Sequence, residues 1–171
     1  IDKVRILIGI DVDKYIAKAA RTGTLFQGAE DDVKADYLSQ LRADIESAHY
    51  SREVEEGIFT MIKDIKEGKL ELRAHPSKRI HAKVYVLYPN EYNQYKMATA
   101  ITGSSNLSGN GLGISHDKQY EFNVKLNDYD DVKFAMDEFE QLWEEAEGGP
   151  IEAVDVDGAV LGTYLKGDVT P

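Results

Sequence analysis

RIHAKVYV, residues 79–86, is the stretch on which the reading of the fold turns. Side chains alternate along a strand, so residues two apart share a face. A strand here sends Ile80, Val84 and Val86 to one side and His81, Lys83 and Tyr85 to the other. The first set is a core face, and the second puts an imidazole beside an ammonium. An isolated H-x-K triplet on a strand is more often a solvated edge than a site. What flanks it decides between the two.

Downstream, the polar turn "PNEYNQY" leads into "KMATAITG", residues 96–103, a second strand that pairs back as a long hairpin. "SSNLSGNGLGI" is rich in turn residues. "KQYEFNVKL" then alternates as a strand, with Tyr120, Phe122 and Val124 on one face and Glu121 and Asn123 on the other. A closing helix from about Asp128 to Ala146 carries Val132, Met136, Phe139, Trp143 and Ala146 on one stripe.

Upstream, "KVRILIGI" (3–10) is a β-branched apolar run suited to a buried strand. A short helix capped by Asp13 and a loop follow. Helical spacing of Val33, Tyr37, Leu38, Leu41 and Ile45 predicts a helix over 31–48. Ser51 opens another through Val54, Ile58, Met61, Ile62 and Ile65, closed by Gly68. "LELRA" (70–74) is a strand, set off from the opening stretch by Pro76 and Ser77. Strand, helices, strands and a final helix make an α/β fold, a mixed β-sheet layered between helices. One domain is expected over 1–147. Residues 148–171, turn-rich and weakly periodic, read as a linker or the start of a neighbouring segment. The start at Ile1 rather than Met reads as part of a longer protein.

With 42% hydrophobic and 30% charged residues among 171, the composition is that of a water-exposed globular domain. The apolar runs are of strand length, well short of the ~20 residues a spanning helix needs, and no secretory pattern opens the chain. A cytoplasmic setting with no membrane partner is the expectation. The absence of cysteine excludes disulfides and thiolate metal sites within these residues.

The net charge of −11 disfavours a phosphate partner only until it is located. Residues 126–157 hold twelve acids against Lys133 alone and account for all of it. Residues 68–90 instead hold Lys69, Arg73, Lys78, Arg79 and Lys83 against Glu71. A basic site remote from an acidic, solvated face is the resulting picture.

Gly103 comes twenty-two residues after His81, in "TGSSN", Thr102 to Asn106, at the end of the second hairpin strand. Gly103 permits close backbone approach to a ligand; Ser104, Ser105 and Asn106 offer directed donors. With the charge of Lys83 they supply what the three oxygens of a phosphoryl group require. His81, on the face of Lys83, is then placed to attack phosphorus, and Glu121 to fix its tautomer.

The ordered set "HAK" (81–83), "GSSN" (103–106) and "YEFN" (120–123) resembles the catalytic motif of the phospholipase D superfamily, closest to the modules attached to bacterial helicases and to metal-independent nucleases. The resemblance covers residues 1 to about 147. It departs from the family pattern where an aspartate is expected five residues after the lysine: that position is Tyr88. The hairpin is also about eight residues longer than usual.

What the resemblance implies is a phosphodiesterase that needs no metal or other cofactor. His81 would form a phosphohistidine, Lys83, Ser104 and Asn106 would hold the phosphoryl oxygens, and Glu121 would orient His81. A single H-x-K implies a homodimer in which a second His81 protonates the leaving group. Nucleic acid, DNA foremost, is the implied substrate, with an attached helicase domain.

Three other readings compete. His75, His81, His116 and Glu121 fit no established zinc spacing, and His75 and His116 read individually as exposed loop residues. Tyr85, Tyr88, Tyr92 and Tyr95 read as hairpin packing, with base stacking as the alternative for Tyr92 and Tyr95. A non-catalytic module that clamps a nucleic-acid phosphate with Lys83, Ser104 and Asn106 is the principal rival. It leaves an oriented imidazole without a use.

Overall fold

A computed structural model describes residues 2–9, 30–47, 51–75, 80–105, 120–146 and 150–164. The chain divides into two compact units, one formed by residues 1–80 with 143–171 and the other by 81–142. The fold is mixed α/β, as expected; among the described residues its strands form two three-stranded sheets, one in each unit.

In the first unit, β1 (Val4–Ile8) lies parallel to β2 (Leu70–Ala74), with Val4 opposite Leu70 and Ile8 opposite Ala74. Parallel neighbours need a long crossover. Here it contains helices α1 (Glu30–Ser47) and α2 (Arg52–Lys66), within a residue or so of the expected limits. Gly68 ends α2 as anticipated. Its φ of 70° is the left-handed conformation that costs glycine least, and it lets Gly68 N–H reach the Ile65 carbonyl and Lys69 N–H the Asp64 carbonyl. The short helix expected from Asp13 lies outside the described residues.

Within 148–171, the described residues 150–164 fold into the first unit rather than forming a linker. Pro150–Ile151 forms β6, antiparallel to β2, and Ala153–Tyr164 forms α4. Ile151, Ala153, Val156 and Val160 join Ile62, Leu72 and Ala74 in the buried core, with Tyr37, Leu38, Leu41, Ile45, Ile58 and Ile65 packed round it. The segment looked weakly periodic because Ala and Val on α4 are small and Gly158 interrupts the pattern. The fold nevertheless buries Val156 completely. Lys66–Asp157 (2.8 Å) and Lys34–Asp155 (2.6 Å) pair α4 with its neighbours at the surface.

In the second unit, β3 (Val84–Leu87), β4 (Thr99–Gly103) and β5 (Asn123–Leu126) form an antiparallel meander. Val84 faces Thr102 and Val86 faces Ala100 across the first pair. Thr102 faces Val124 and Ala100 faces Leu126 across the second. Residues of one row share a face. Val86, Ala100 and Leu126 meet Val132, Ala135 and Met136 of α3 (Tyr129–Glu145), and this row is the unit's core. All three strands are shorter than the sequence pattern suggested. In particular, residues 81–83 precede β3 rather than belonging to it.

The apolar stripe of the closing helix is as expected: Val132, Trp143 and Ala146 are buried and Met136 and Phe139 partly so. Its last turn is held within the first unit. Arg73 donates to the Trp143 carbonyl at 2.8 Å and stacks its guanidinium 4.4 Å from the Trp143 ring, with Arg5 at 5.4 Å. A cation there complements the helix C-terminus, which has no basic residue of its own.

Candidate active site

The face of the second sheet opposite its core carries Tyr85, Ile101 and Lys125 in one row and, one step along, Gly103 opposite Asn123. Tyr85 and Asn123 both reach from it to the turn that follows β4. The Tyr85 hydroxyl donates to the Ser105 carbonyl at 3.0 Å. Asn123 Nδ2 donates to Ser105 Oγ at 2.6 Å, and Asn123 Oδ1 accepts the Ser105 N–H at 3.4 Å. Every polar group of Ser105 is thus engaged, and the residue is only 6% exposed.

Ser104 turns instead to the carboxylate of Glu121. Its hydroxyl donates to Glu121 Oε2 and accepts the Phe122 N–H at 3.0 Å, while its own N–H donates to the Phe122 carbonyl at 3.1 Å. A serine has one hydroxyl hydrogen. In this arrangement Ser104's is given to Glu121, so capture of a phosphoryl oxygen by Ser104 requires that bond to exchange. "SS" at 104–105 and "EFN" at 121–123 are therefore laced together, Glu121 to Ser104 and Asn123 to Ser105.

Gly103 has a different reason for being glycine than the one read from sequence. A Cβ there would collide with the Phe122 carbonyl oxygen and Asn123 Oδ1 and lie 2.7 Å from Asn123 Cα. The missing side chain makes room for β5 and the Asn123 amide.

His81 is exposed and Lys83 partly buried, in the segment that enters β3 at Val84. Because Val84 pairs with Thr102, Lys83 stands one residue before the row that ends at the glycine-serine turn. Lys83, Ser104, Ser105 and Glu121 thus belong to one unit and to one end of one sheet, together with His81. Among the described residues neither His81 nor Lys83 makes a hydrogen bond or ion pair. Asn106, the last member of the motif, lies outside the described residues, as does His116.

Three expectations about neighbouring residues change. His75 is not an exposed loop residue: it is 1% exposed, its Nε2 is 3.2 Å from Glu145 Oε2, and its N–H bonds the Ile8 carbonyl at 3.0 Å. Nothing in an isolated His-Pro pair signals that burial; the parallel pairing of β1 and β2 produces it. Of the cations of residues 68–90, Lys78 and Arg79 lie outside the described residues, and two others are engaged. Lys69 pairs with Glu67 at 2.6 Å, and Arg73 is spent on Trp143. Of the hairpin tyrosines, Tyr92 packs against Tyr129 with centroids 5.5 Å apart, but Tyr95 is 87% exposed. Among the described residues no three His, Asp or Glu side chains gather to hold a metal ion. No helix among them is long and apolar enough to cross a membrane.

The family model described as cardiolipin synthase, PLD-like domain, matches residues 3–143. The chain belongs to this family. The match spans most of the 171 residues and contains both the H-x-K and the G-S-S-N segments. No curated protein and no solved structure matches the chain. As a phospholipase D-like domain, the protein falls in a superfamily whose members are generally phosphodiesterases or transferases of the same bond. The match reaches that level and carries nothing specific to helicase-attached modules or nucleases.

Asn123 and Tyr85 are the residues that sequence reading underrated. Alternation put Asn123 on the face of Glu121 and Tyr85 on that of Lys83; the ladders begin only at Asn123 and Val84, and the shared target of Asn123 and Tyr85 on Ser105 depends on strand register.

Proposed function

We propose that the domain cleaves or transfers phosphodiester bonds through a covalent phosphohistidine on His81. The observation that carries this reading is the lacing of Ser104 to Glu121 at the strand end that adjoins the His81–Lys83 segment. The hydroxyl a phosphoryl oxygen would take and the carboxylate an imidazole would take meet there, which supports the reading. In the first step an imidazole nitrogen attacks phosphorus and the bond to the leaving oxygen breaks. That oxygen takes a proton, which a second His81 in a two-fold dimer supplies. Water or an alcohol then attacks the phosphohistidine and frees His81. Lys83, Ser104 and Asn106 hold the non-bridging oxygens while Ser105, engaged by Asn123 and Tyr85, stays with the protein, and Glu121 passes from Ser104 to His81 as the substrate's oxygens engage Ser104.

Nucleic acid, DNA foremost, is the proposed substrate, with Lys78, Arg79 and Lys83 as its phosphate contacts and an attached helicase as the proposed context. A second reading, a phosphate clamp without turnover, is favoured by one observation: Glu121 is committed to Ser104, which leaves His81 without that carboxylate.

Turnover of bis(p-nitrophenyl) phosphate, and then of DNA, in excess chelator separates the two. Catalysis requires that His81→Ala lose about a thousandfold or more in kcat/KM. DNA binding by wild type and mutant alike, with turnover by neither, establishes the clamp. Sedimentation of the active species tests the dimer, since a strict monomer holds one His81 per site.

A further inference from the structure

We infer that Asn123 is a positioning residue of this site, acting on the phosphoryl-binding turn through Ser105, with Tyr85 as its partner. The inference rests on the proposed phosphodiester reading and adds to it two residues that do not touch the substrate.

Ser105 follows Ser104 directly, so fixing its peptide units fixes where the Ser104 side chain begins. Its N–H and Oγ are held by Asn123 from β5, and its carbonyl by Tyr85 from β3. The turn is therefore pinned from both neighbours of β4 at once. The amide orientation of Asn123 is determined by these contacts. Oδ1 must face the Ser105 N–H, so Nδ2 must face Oγ; the reversed amide would set two donors against each other. Gly103 completes the device, because any side chain there would occupy the space of the Asn123 amide.

The same geometry separates the tasks of the two serines. Ser105 is 6% exposed and has its oxygen facing a donor, whereas Ser104 is exposed and bonded to a carboxylate that can be exchanged. Ser105 anchors the turn and Ser104 serves the ligand. Positioning of this kind is felt in the chemical step, where small displacements of oxygen-binding groups are costly. Loss of a residue that only supported the fold would instead appear in stability.

The test uses the full chain, bis(p-nitrophenyl) phosphate as substrate and orthovanadate as the binding probe. Asn123→Leu, nearly the same size but without polar atoms, is expected to lower kcat by about 10- to 100-fold with KM changed by less than about threefold. Hydrogen exchange at the Ser105 amide should quicken at least about tenfold while the amides of β2 keep their protection. Adding Ser105→Ala to Asn123→Leu should cost almost nothing more, because both act through one contact. Tyr85→Phe removes a single oxygen and should lower kcat by a smaller factor, which decides the matter if Asn123→Leu fails to fold. Wild-type kcat in both Asn123→Leu and Tyr85→Phe, or a full multiplicative loss on adding Ser105→Ala, overturns the positioning role. A wild-type protein that neither turns over the diester nor binds orthovanadate sinks the proposed function itself, which is a distinct result.

Discussion

The two units of the chain are held together by different physics. Among the described residues, the first has a core of seven buried residues, among them Ile62, Leu72, Ile151, Val156 and Val160, with ten more apolar side chains packed against it. Among the described residues of the second, Ala98, Ala100 and Val132 are the buried core, with five partly buried neighbours. Burial of apolar area at roughly 25 cal/mol per Å² favours the first heavily. The candidate site lies in the second. Its residues are kept in place by sheet register and by hydrogen bonds among Tyr85, Ser104, Ser105, Glu121 and Asn123 rather than by a deep core. A thin core suits a site whose bonds exchange on binding, since segments with few buried contacts open at the least cost.

The sharpest way to break this contrast is at Gly103. Gly103→Ala forces β4 from β5, and it is expected to destabilise the second unit by about 3 kcal/mol, with little change in the first. Hydrogen exchange read separately for β4 and β2 checks it; uniform loss of protection in both strands would show that the units do not respond independently. Next comes a matched pair. Val132→Ala and Val156→Ala each empty a fully buried position and each should cost about 2 kcal/mol. The smaller core leaves Val132→Ala less to spare, so β4 amides should lose protection in that variant at denaturant concentrations where Val156→Ala still protects β2. Equal responses would erase the distinction.

The smallest effect expected is at alkaline pH and belongs to the first unit. Burial, with help from the nearby Asp44 carboxylate, raises the Tyr37 phenol above its ordinary value of 10.0. The folded state therefore favours the neutral phenol. Its contribution to stability is fully present below pH 10 and is lost as pH rises through the higher folded value. Tyr37→Phe should flatten the alkaline limb of a stability profile and leave neutral pH almost unchanged. A profile identical to wild type above pH 10 would remove Tyr37 from the account.

Several of these features were open to reading before any coordinates. The stripes of α2 and α3 repeat at helical spacing with large side chains, so their periodicity is strong. The ordered H-x-K, G-S-S-N and glutamate segments lie within the span the family model matches, and their roles are proposals. Residues 150–164 escaped because small residues give a weak apolar signal while still filling a tight core. His75 escaped because a single histidine has no period. The length of β3 was overread: alternation continues through residues 81–83, but the hydrogen-bonded ladder does not.

Sequence by itself determined the types of side chain available, their order and the family, since these depend on chemistry and local spacing alone. The tertiary structure decided partners: that Ser104 holds Glu121, that Asn123 and Tyr85 meet on Ser105, and that Arg73 serves Trp143 instead of a ligand. The physical reason is register. A strand's own pattern says which face a residue takes, but which residues it meets is set by the alignment of strands far apart in the chain, and one step of slippage would exchange every pair.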